Sequence, residues 1–247
     1  MALIHSFEKS GNILFKYRGQ IPLILFIIAL PVIYFTNYTI ISDSLNSILT
    51  IVAISLSILG FLIRAISIGT TPKGTSGRNT KNQVAESLNE TGIYSTVRHP
   101  LYLGNYFMWI GIVLFTYNIY FIVIVSLAFW LYYERIMFAE ERFLEKKFGQ
   151  KYLEWSLTVP AFIPSFKNYK KNTTPFSFIS ILRREYSGFL ATTLCFTFID
   201  HFRFFLLTQE IKWDRASTYI LAIAIIITLV LRTIKHSTKL LNEEGRS

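Results

Sequence analysis

The sequence predicts an all-α protein, a polytopic transmembrane bundle of about six spans that includes a helical hairpin. Three observations lead there. Apolar residues fill 52% of the 247 positions and aromatic residues 16%, with a mean hydropathy of +0.41, a composition typical of membrane proteins. The apolar residues gather in long runs at 21–41, 48–68, 101–133, 188–207 and 219–231. The lysines and arginines fall mainly on alternate connecting segments, as the positive-inside rule requires of cytosolic loops.

Residues 1–20 read as a cytosolic N-terminal segment carrying Lys9, Lys16 and Arg18. No small-residue cleavage site follows at a suitable distance, so the run from Ile21 is expected to be a retained span rather than a cleaved signal. Residues 21–69 hold the first two spans. The segment 70–100 is a cytosolic loop rich in Gly, Thr, Ser, Asn and Lys, irregular at its Thr71-Pro72 start and expected to make a helical turn over 84–88.

The run 101–133 is too long for one ordinary span, and Tyr117-Asn118 offers a turn in its middle, which predicts the hairpin. Residues 134–149 are a strong helix former that leaves the membrane and stops at a glycine cap, Gly149. Glu134, Met137, Phe138, Glu141, Leu144 and Phe148 share one stripe of it, so two carboxylates sit among apolar neighbours. Tyr152, Trp155, Pro160 and Pro164 are expected to lie extended along the membrane surface, completing the 101–175 unit. Residues 176–247 supply a last pair of spans and a tail.

With the N-terminus inside, this topology puts most basic residues on one face. The turns at 42–47 and 117–118 carry none, and the outer side of the last pair has only Arg203, Lys212 and Arg215. Arg64 is expected to snorkel from the second span to the inner surface. Both termini are therefore cytosolic in an integral membrane protein. The net charge of +10 follows from this topology, so no nucleic-acid partner is expected. The single cysteine, Cys195, excludes an intrachain disulfide and a cysteine metal cluster, and no metal is expected.

The chemistry points to residues 91–104, which place glycines, tyrosines, Arg98, His99 and Pro100 at one junction. Pro100 suits a helix start, where free N–H groups and the positive end of the macrodipole favour an anion. Arg98 adds charge, and Gly104 allows close approach to the backbone. The plainer account is a juxtamembrane arginine on lipid headgroups with His99 as a cap. Glu140-Glu141 has its own plain account, a solvated helix face.

Taken together the two clusters form a pattern: Gly92, Tyr94, Arg98, His99, Pro100, Tyr102 and Gly104, a membrane hairpin, then Glu140, Glu141, Leu144, Phe148, Gly149, Tyr152 and Trp155, with Pro160 and Pro164 behind. This pattern resembles the isoprenylcysteine carboxyl methyltransferase and phospholipid methyltransferase superfamily. The resemblance implies S-adenosyl-L-methionine as methyl donor in a cytosolic cofactor pocket open laterally to lipid. Its contacts would fall on Leu88, Asn89, Tyr94, Arg98, His99, Pro100, Leu101, Tyr102 and Gly104, and on Glu140 or Glu141.

The sequence departs from the prenylcysteine enzymes where it has Glu134, beside Arg135, and Phe138. The stretches 74–80, 98–105 and 132–141 are most similar to the bacterial branch that O-methylates the 1-phosphate of lipid A, which implies an inner-membrane location. The partners are then a lipophilic membrane substrate and the phospholipid bilayer, with the oligomeric state left open. Arg135 is expected to face the acceptor's anion, and Lys73, Arg78, Lys81 and Arg142 to help gather a headgroup. A phosphate or carboxylate acceptor needs no general base, whereas an amine would need one, for which Glu134 or Glu141 would serve. A phospholipid amine and a prenylcysteine carboxylate are the alternative acceptors.

Asp200 and Arg203, in the last pair of spans, are expected to neutralise each other at i, i+3. A transporter or lipid-binding scaffold is the rival of another class. It would need a polar path across the bilayer, whereas the first four spans are almost wholly apolar and the charges gather on one face.

Overall fold

A computed structural model describes residues 2–75 and 83–246 of the chain. Among these it contains eight α-helices and no strand: α1 (Leu3–Lys16), α2 (Ile21–Phe35), α3 (Asp43–Gly69), α4 (Pro100–Leu114), α5 (Ile119–Phe148), α6 (Gln150–Thr158), α7 (Phe178–Thr208) and α8 (Ala216–Ser237). Four of them, α3, α5, α7 and α8, are long and apolar enough to cross a membrane, while α2 and α4 are apolar but shorter. At 1.5 Å per residue, α4 is only about 22 Å long. The chain is thus an integral membrane protein with four full-length candidate spans and two short apolar helices, where the sequence predicted about six spans.

The predicted hairpin is present. Helices α4 and α5 are joined at 115–118, where Tyr117 takes a left-handed φ of 58° and the Asn118 side chain caps α5 by accepting from the Phe121 N–H at 3.0 Å. The second arm and the acidic stretch form one continuous helix of 30 residues ending at Gly149 (φ 55°), the cap the sequence predicted.

The longest packed seam runs between α3 and α4 and is made of small residues. A Cβ on Gly104 would stand 2.8 Å from the Gly60 carbonyl oxygen, and one on Gly111 2.2 Å from Ser57 Oγ. The two helices therefore approach to backbone contact, as small residues allow within a bilayer.

The N-terminal segment is a helix docked on α5: the Arg135 guanidinium lies 3.4 Å from the Phe7 ring centre, and Tyr132 donates to the Leu14 carbonyl at 3.0 Å. Several expectations are corrected. Residues 83–90 contain no helix, so the turn expected over 84–88 is absent. Tyr152 and Trp155 lie on α6 and are buried with Val159 against Leu88, Leu144 and Phe148, not extended along a surface.

Asp200 does not pair with Arg203. It binds Arg215 through 2.6 and 2.8 Å hydrogen bonds and accepts from Ser217 at 2.6 Å, because Arg215 precedes α8 and reaches across to α7. Arg64 does not snorkel: it is engaged by Glu185 of α7. Arg78, Lys81 and positions 76–80 of the 74–80 stretch lie outside the described residues.

Candidate functional site

The start of α4 is built by a strap. After α6 the chain runs antiparallel to residues 96–99: the Arg98 and His99 N–H groups donate to the carbonyls of Pro160 (2.9 Å) and Ala161 (3.2 Å), and Ser165 N–H donates to Thr96 O (2.9 Å). Further on, Gly92 N–H donates to Lys170 O at 2.9 Å, and Ser95 Oγ accepts from Lys170 N–H at 2.9 Å. Backbone groups that precede a helix and would otherwise be unpaired are satisfied this way. The motif is thereby held rigidly where Pro100 opens α4.

Arg98 clamps three elements. Its Nε and Nη2 donate to Glu141 of α5 at 2.9 and 3.3 Å, and its Nη1 donates to the carbonyls of Ser156 (2.6 Å) and Val159 (2.7 Å) at the end of α6. Cations suit the last carbonyls of a helix, which carry the negative end of its dipole. Arg98 is therefore largely committed to holding the site together.

His99 lies between the two carboxylates of α5. Its Nε2 is 2.9 Å from Glu141 and its Nδ1 3.6 Å from Glu140. Burial alone would lower the pKa of this ring, but the hydrogen bonds to Glu140 and Glu141 and their charges outweigh it and raise the pKa above the ordinary histidine value. An imidazolium with a carboxylate at each nitrogen is the state this geometry favours.

Tyr102 stacks on His99, with ring centres 5.7 Å apart, and donates to Glu140 at 2.7 Å. Its ring also faces Tyr133 at 4.8 Å. Tyr133 accepts from Asn105 Nδ2 at 3.2 Å, and Asn105 Oδ1 accepts from Arg64 Nη1 at 2.6 Å. A network of hydrogen bonds and ring contacts thus runs from α6 through α5 and α4 to α3, its Tyr102–Tyr133 step being a contact between rings.

This network borders a cavity of about 290 Å³, at the lower edge of the range of about 300–1,000 Å³ usual for small-molecule sites. Of the residues proposed from sequence, Tyr94, Arg98, His99, Pro100, Leu101, Tyr102 and Glu140 line it. The others are placed elsewhere. Glu141 is held behind the lining by Arg98 and His99. Leu88 packs on the Tyr152–Trp155 cluster, and Asn89 is not among the lining residues. Gly104 meets α3 rather than a ligand. Glu134 and Arg135 do not line the cavity either, because Arg135 is drawn to Phe7 of α1.

Sequence reasoning missed Arg18, Arg64, Asn105, Tyr133 and Arg184, which all line the cavity. Arg64 did carry a signal: an ionisable residue inside an apolar run marks a functional candidate. The docking of α1 and α7, which brings Arg18 and Arg184 to the cavity, left no comparable mark.

The lining chemistry suits S-adenosylmethionine. Glu140 and the Tyr102 and Tyr133 rings can receive its cationic groups. The start of α4 and the arginines suit its carboxylate, and Tyr94, Pro100, Leu101 and Leu144 offer apolar or aromatic surface.

Comparison with known proteins points the same way. Residues 48–151, from within α3 to the start of α6, match the family model described as phospholipid methyltransferase. The Protein-S-isoprenylcysteine O-methyltransferase of Saccharomyces cerevisiae is 33% identical over 132 residues, which is 53% of this chain and 55% of the relative. The cobalt-zinc-cadmium resistance protein CzcN of Cupriavidus metallidurans is 30% identical over 137 residues, or 56% and 57% of the two chains. The Protein-S-isoprenylcysteine O-methyltransferase of Xenopus laevis is 33% identical over 102 residues, or 39% and 35%. The chain spans about half or less of the length of these relatives. No solved structure matches it.

Proposed function

We propose that this chain is an integral membrane methyltransferase of the phospholipid and isoprenylcysteine type, transferring a methyl group from S-adenosylmethionine to an anionic oxygen on a membrane amphiphile. The observation that carries this reading is the convergence of Tyr94, the 98–102 segment and Glu140 on one cavity at the start of α4. The lipid A 1-phosphate is the acceptor the sequence motifs favour. A prenylcysteine carboxylate is the second reading, supported by the names of the yeast and frog relatives. The concentration of basic residues at this end of the bundle supports a cytosolic site with both termini cytosolic.

When bound, S-adenosylmethionine would supply a methyl group on a cationic sulfur, which would leave as the neutral thioether, keeping the electron pair of the broken sulfur–carbon bond, as the acceptor oxygen takes the methyl. The protein has to align the reactants and exclude water. Tyr102 and Tyr133 fix the apolar wall, and Glu140, held by Tyr102 and His99, presents a fixed negative charge to the donor's cationic end. A phosphate or carboxylate oxygen arrives already deprotonated, so none of the residues needs to remove a proton. Meeting of opposite charges in a poorly solvated cavity favours their mutual neutralisation.

The test is mass spectrometry of total lipids from cells with and without the protein, grown on methyl-deuterated methionine. The expected result is a lipid A species heavier by one labelled methyl only when the protein is present. Label on amine headgroups would overturn the oxyanion assignment. Label on lipidated protein would move the acceptor to the prenylcysteine carboxylate. No protein-dependent label anywhere would overturn the enzyme reading.

A further inference from the structure

The cavity has a second wall that the family match does not reach. Helix α7 (Phe178–Thr208) lies wholly outside residues 48–151, yet it packs beside α3 and supplies Arg184 to the lining and Glu185 to Arg64. The Arg64–Glu185 pair is a two-point fork, Nε to Oε2 and Nη2 to Oε1, both 2.7 Å. Asn105 accepts from the third position, Nη1. Three of the five guanidinium N–H donors are thus used, and they fix the plane of a group that still borders the cavity.

The Glu185 side chain is 9% exposed, and Arg184 is equally buried. Fixing charges this deep in a bilayer protein is costly and rarely incidental. The charges are distributed unevenly around the cavity. Arg18, Arg64, Arg98 and Arg184 line it, Glu140 is the one lining carboxylate among the described residues, and Glu185 and Glu141 back Arg64 and Arg98. Glu140 lies on the α5 wall beside His99 and Tyr102, whereas Arg64 and Arg184 come from α3 and α7.

We propose that the cavity is divided, with the donor held on the α4–α5 wall and the acceptor's oxyanion bound by Arg64 and Arg184, Glu185 acting as the positioning residue that aims Arg64. This rests on the methyltransferase reading and names the acceptor end of the same site. It assigns a role to the C-terminal helix pair: α7 completes the acceptor site, so acceptor choice is determined largely outside the family-matched segment. The ligand class is a single-chain or multi-chain amphiphile ending in a phosphate monoester or a carboxylate. Planar guanidinium forks recognise both oxyanions, the phosphate through more oxygens and more charge.

The test uses the full chain in lipid nanodiscs, titrated calorimetrically with three probes: S-adenosylhomocysteine for the donor end, and n-dodecyl phosphate and dodecanoate for the acceptor end. Wild type is expected to bind S-adenosylhomocysteine and at least one of the two anionic amphiphiles, and the tighter of the two identifies the source of the oxyanion. Arg184→Gln and Glu185→Gln should each weaken that amphiphile by about tenfold to a hundredfold, while S-adenosylhomocysteine affinity, which also reports correct folding, stays within about twofold. Glu185→Asp, which keeps the charge, should recover part of the loss.

Amphiphile binding unchanged in both variants would overturn the assignment. Parallel loss of both ligand types would overturn the division of the cavity, and so would wild type that binds S-adenosylhomocysteine but neither amphiphile. Wild type that binds an amphiphile through Arg184 but no S-adenosylhomocysteine would leave this oxyanion site standing and sink the methyltransferase reading instead.

Discussion

The bundle carries a partly buried arginine near each end of α4, and the two are held differently. Arg98, before the first turn, is held by the Glu141 carboxylate and two carbonyls of α6. Arg203, beside the last turn, donates to the Phe115 carbonyl at 3.2 Å and to Asn46 at 3.1 Å. Its guanidinium lies 3.7 Å from the Tyr117 ring centre and 5.1 Å from those of Tyr38 and Phe115. At the Arg98 end the polar groups are spaced around a cavity; at the Arg203 end rings fill the space. A buried charge becomes useful for chemistry where its network leaves room for a ligand. Where aromatic faces close over it, its work is to lock the hairpin turn to its neighbours.

The largest expected effect follows from that contrast. Arg98→Ala leaves two carbonyls at the end of α6 unpaired and Glu141 with His99 as its remaining partner. It should lower stability by about 2–4 kcal/mol, somewhat less than a fully buried pair because both side chains keep some solvent contact. It should also weaken S-adenosylhomocysteine binding by more than about tenfold, because the start of α4 loses its anchor. Arg203→Met should cost about 1–2 kcal/mol and leave that binding unchanged. Thermal unfolding in detergent and calorimetry on the same samples check both. Equal loss of binding in the two variants would break the comparison.

His99 sharpens it through pH. Glu140 and Glu141 raise the folded-state pKa of the ring above its unfolded value despite burial. The stabilisation is therefore complete below the unfolded pKa of about 6.5 and is lost as pH rises through the higher folded value. The unfolding midpoint should fall as pH is raised from about 6 to about 9, and His99→Gln should flatten that slope. A slope of the same size in the variant would assign it to another group.

The helical class, the hairpin with its turn at Tyr117-Asn118, the Gly149 cap and most of the α4 wall were legible because each depends on local sequence: apolar run length, turn residues, a proline at a helix start. What was not legible depends on which helices meet. Arg64 reads as a snorkelling lysine-like residue until α7 brings Glu185 to it. Arg135 reads as substrate-facing until α1 lays Phe7 over it. Gly104 reads as room for a ligand until Gly60 is seen filling that room. Asp200 reads as the partner of Arg203, three residues away, because i, i+3 neighbours share a helix face. The preferred partner instead comes from the next helix.

That last correction sets the smallest predicted effect. The Asp200–Arg215 pair ties α7 to the start of α8 with its side chains 21% and 26% exposed, so solvent screens it and Asp200→Asn should cost about 1 kcal/mol or less. Asp200 lies 15 residues beyond Glu185 on the same helix, about 22 Å along its axis. If α7 serves as a rigid wall whose two ends act independently, the variant should lower the unfolding midpoint slightly and leave n-dodecyl phosphate and S-adenosylhomocysteine affinities alone. A loss of amphiphile affinity in Asp200→Asn, with donor-site binding intact, would mean that α7 transmits its far-end anchoring to Arg184 and Glu185. The two ends of the bundle would then be one coupled device rather than a working end and a structural one.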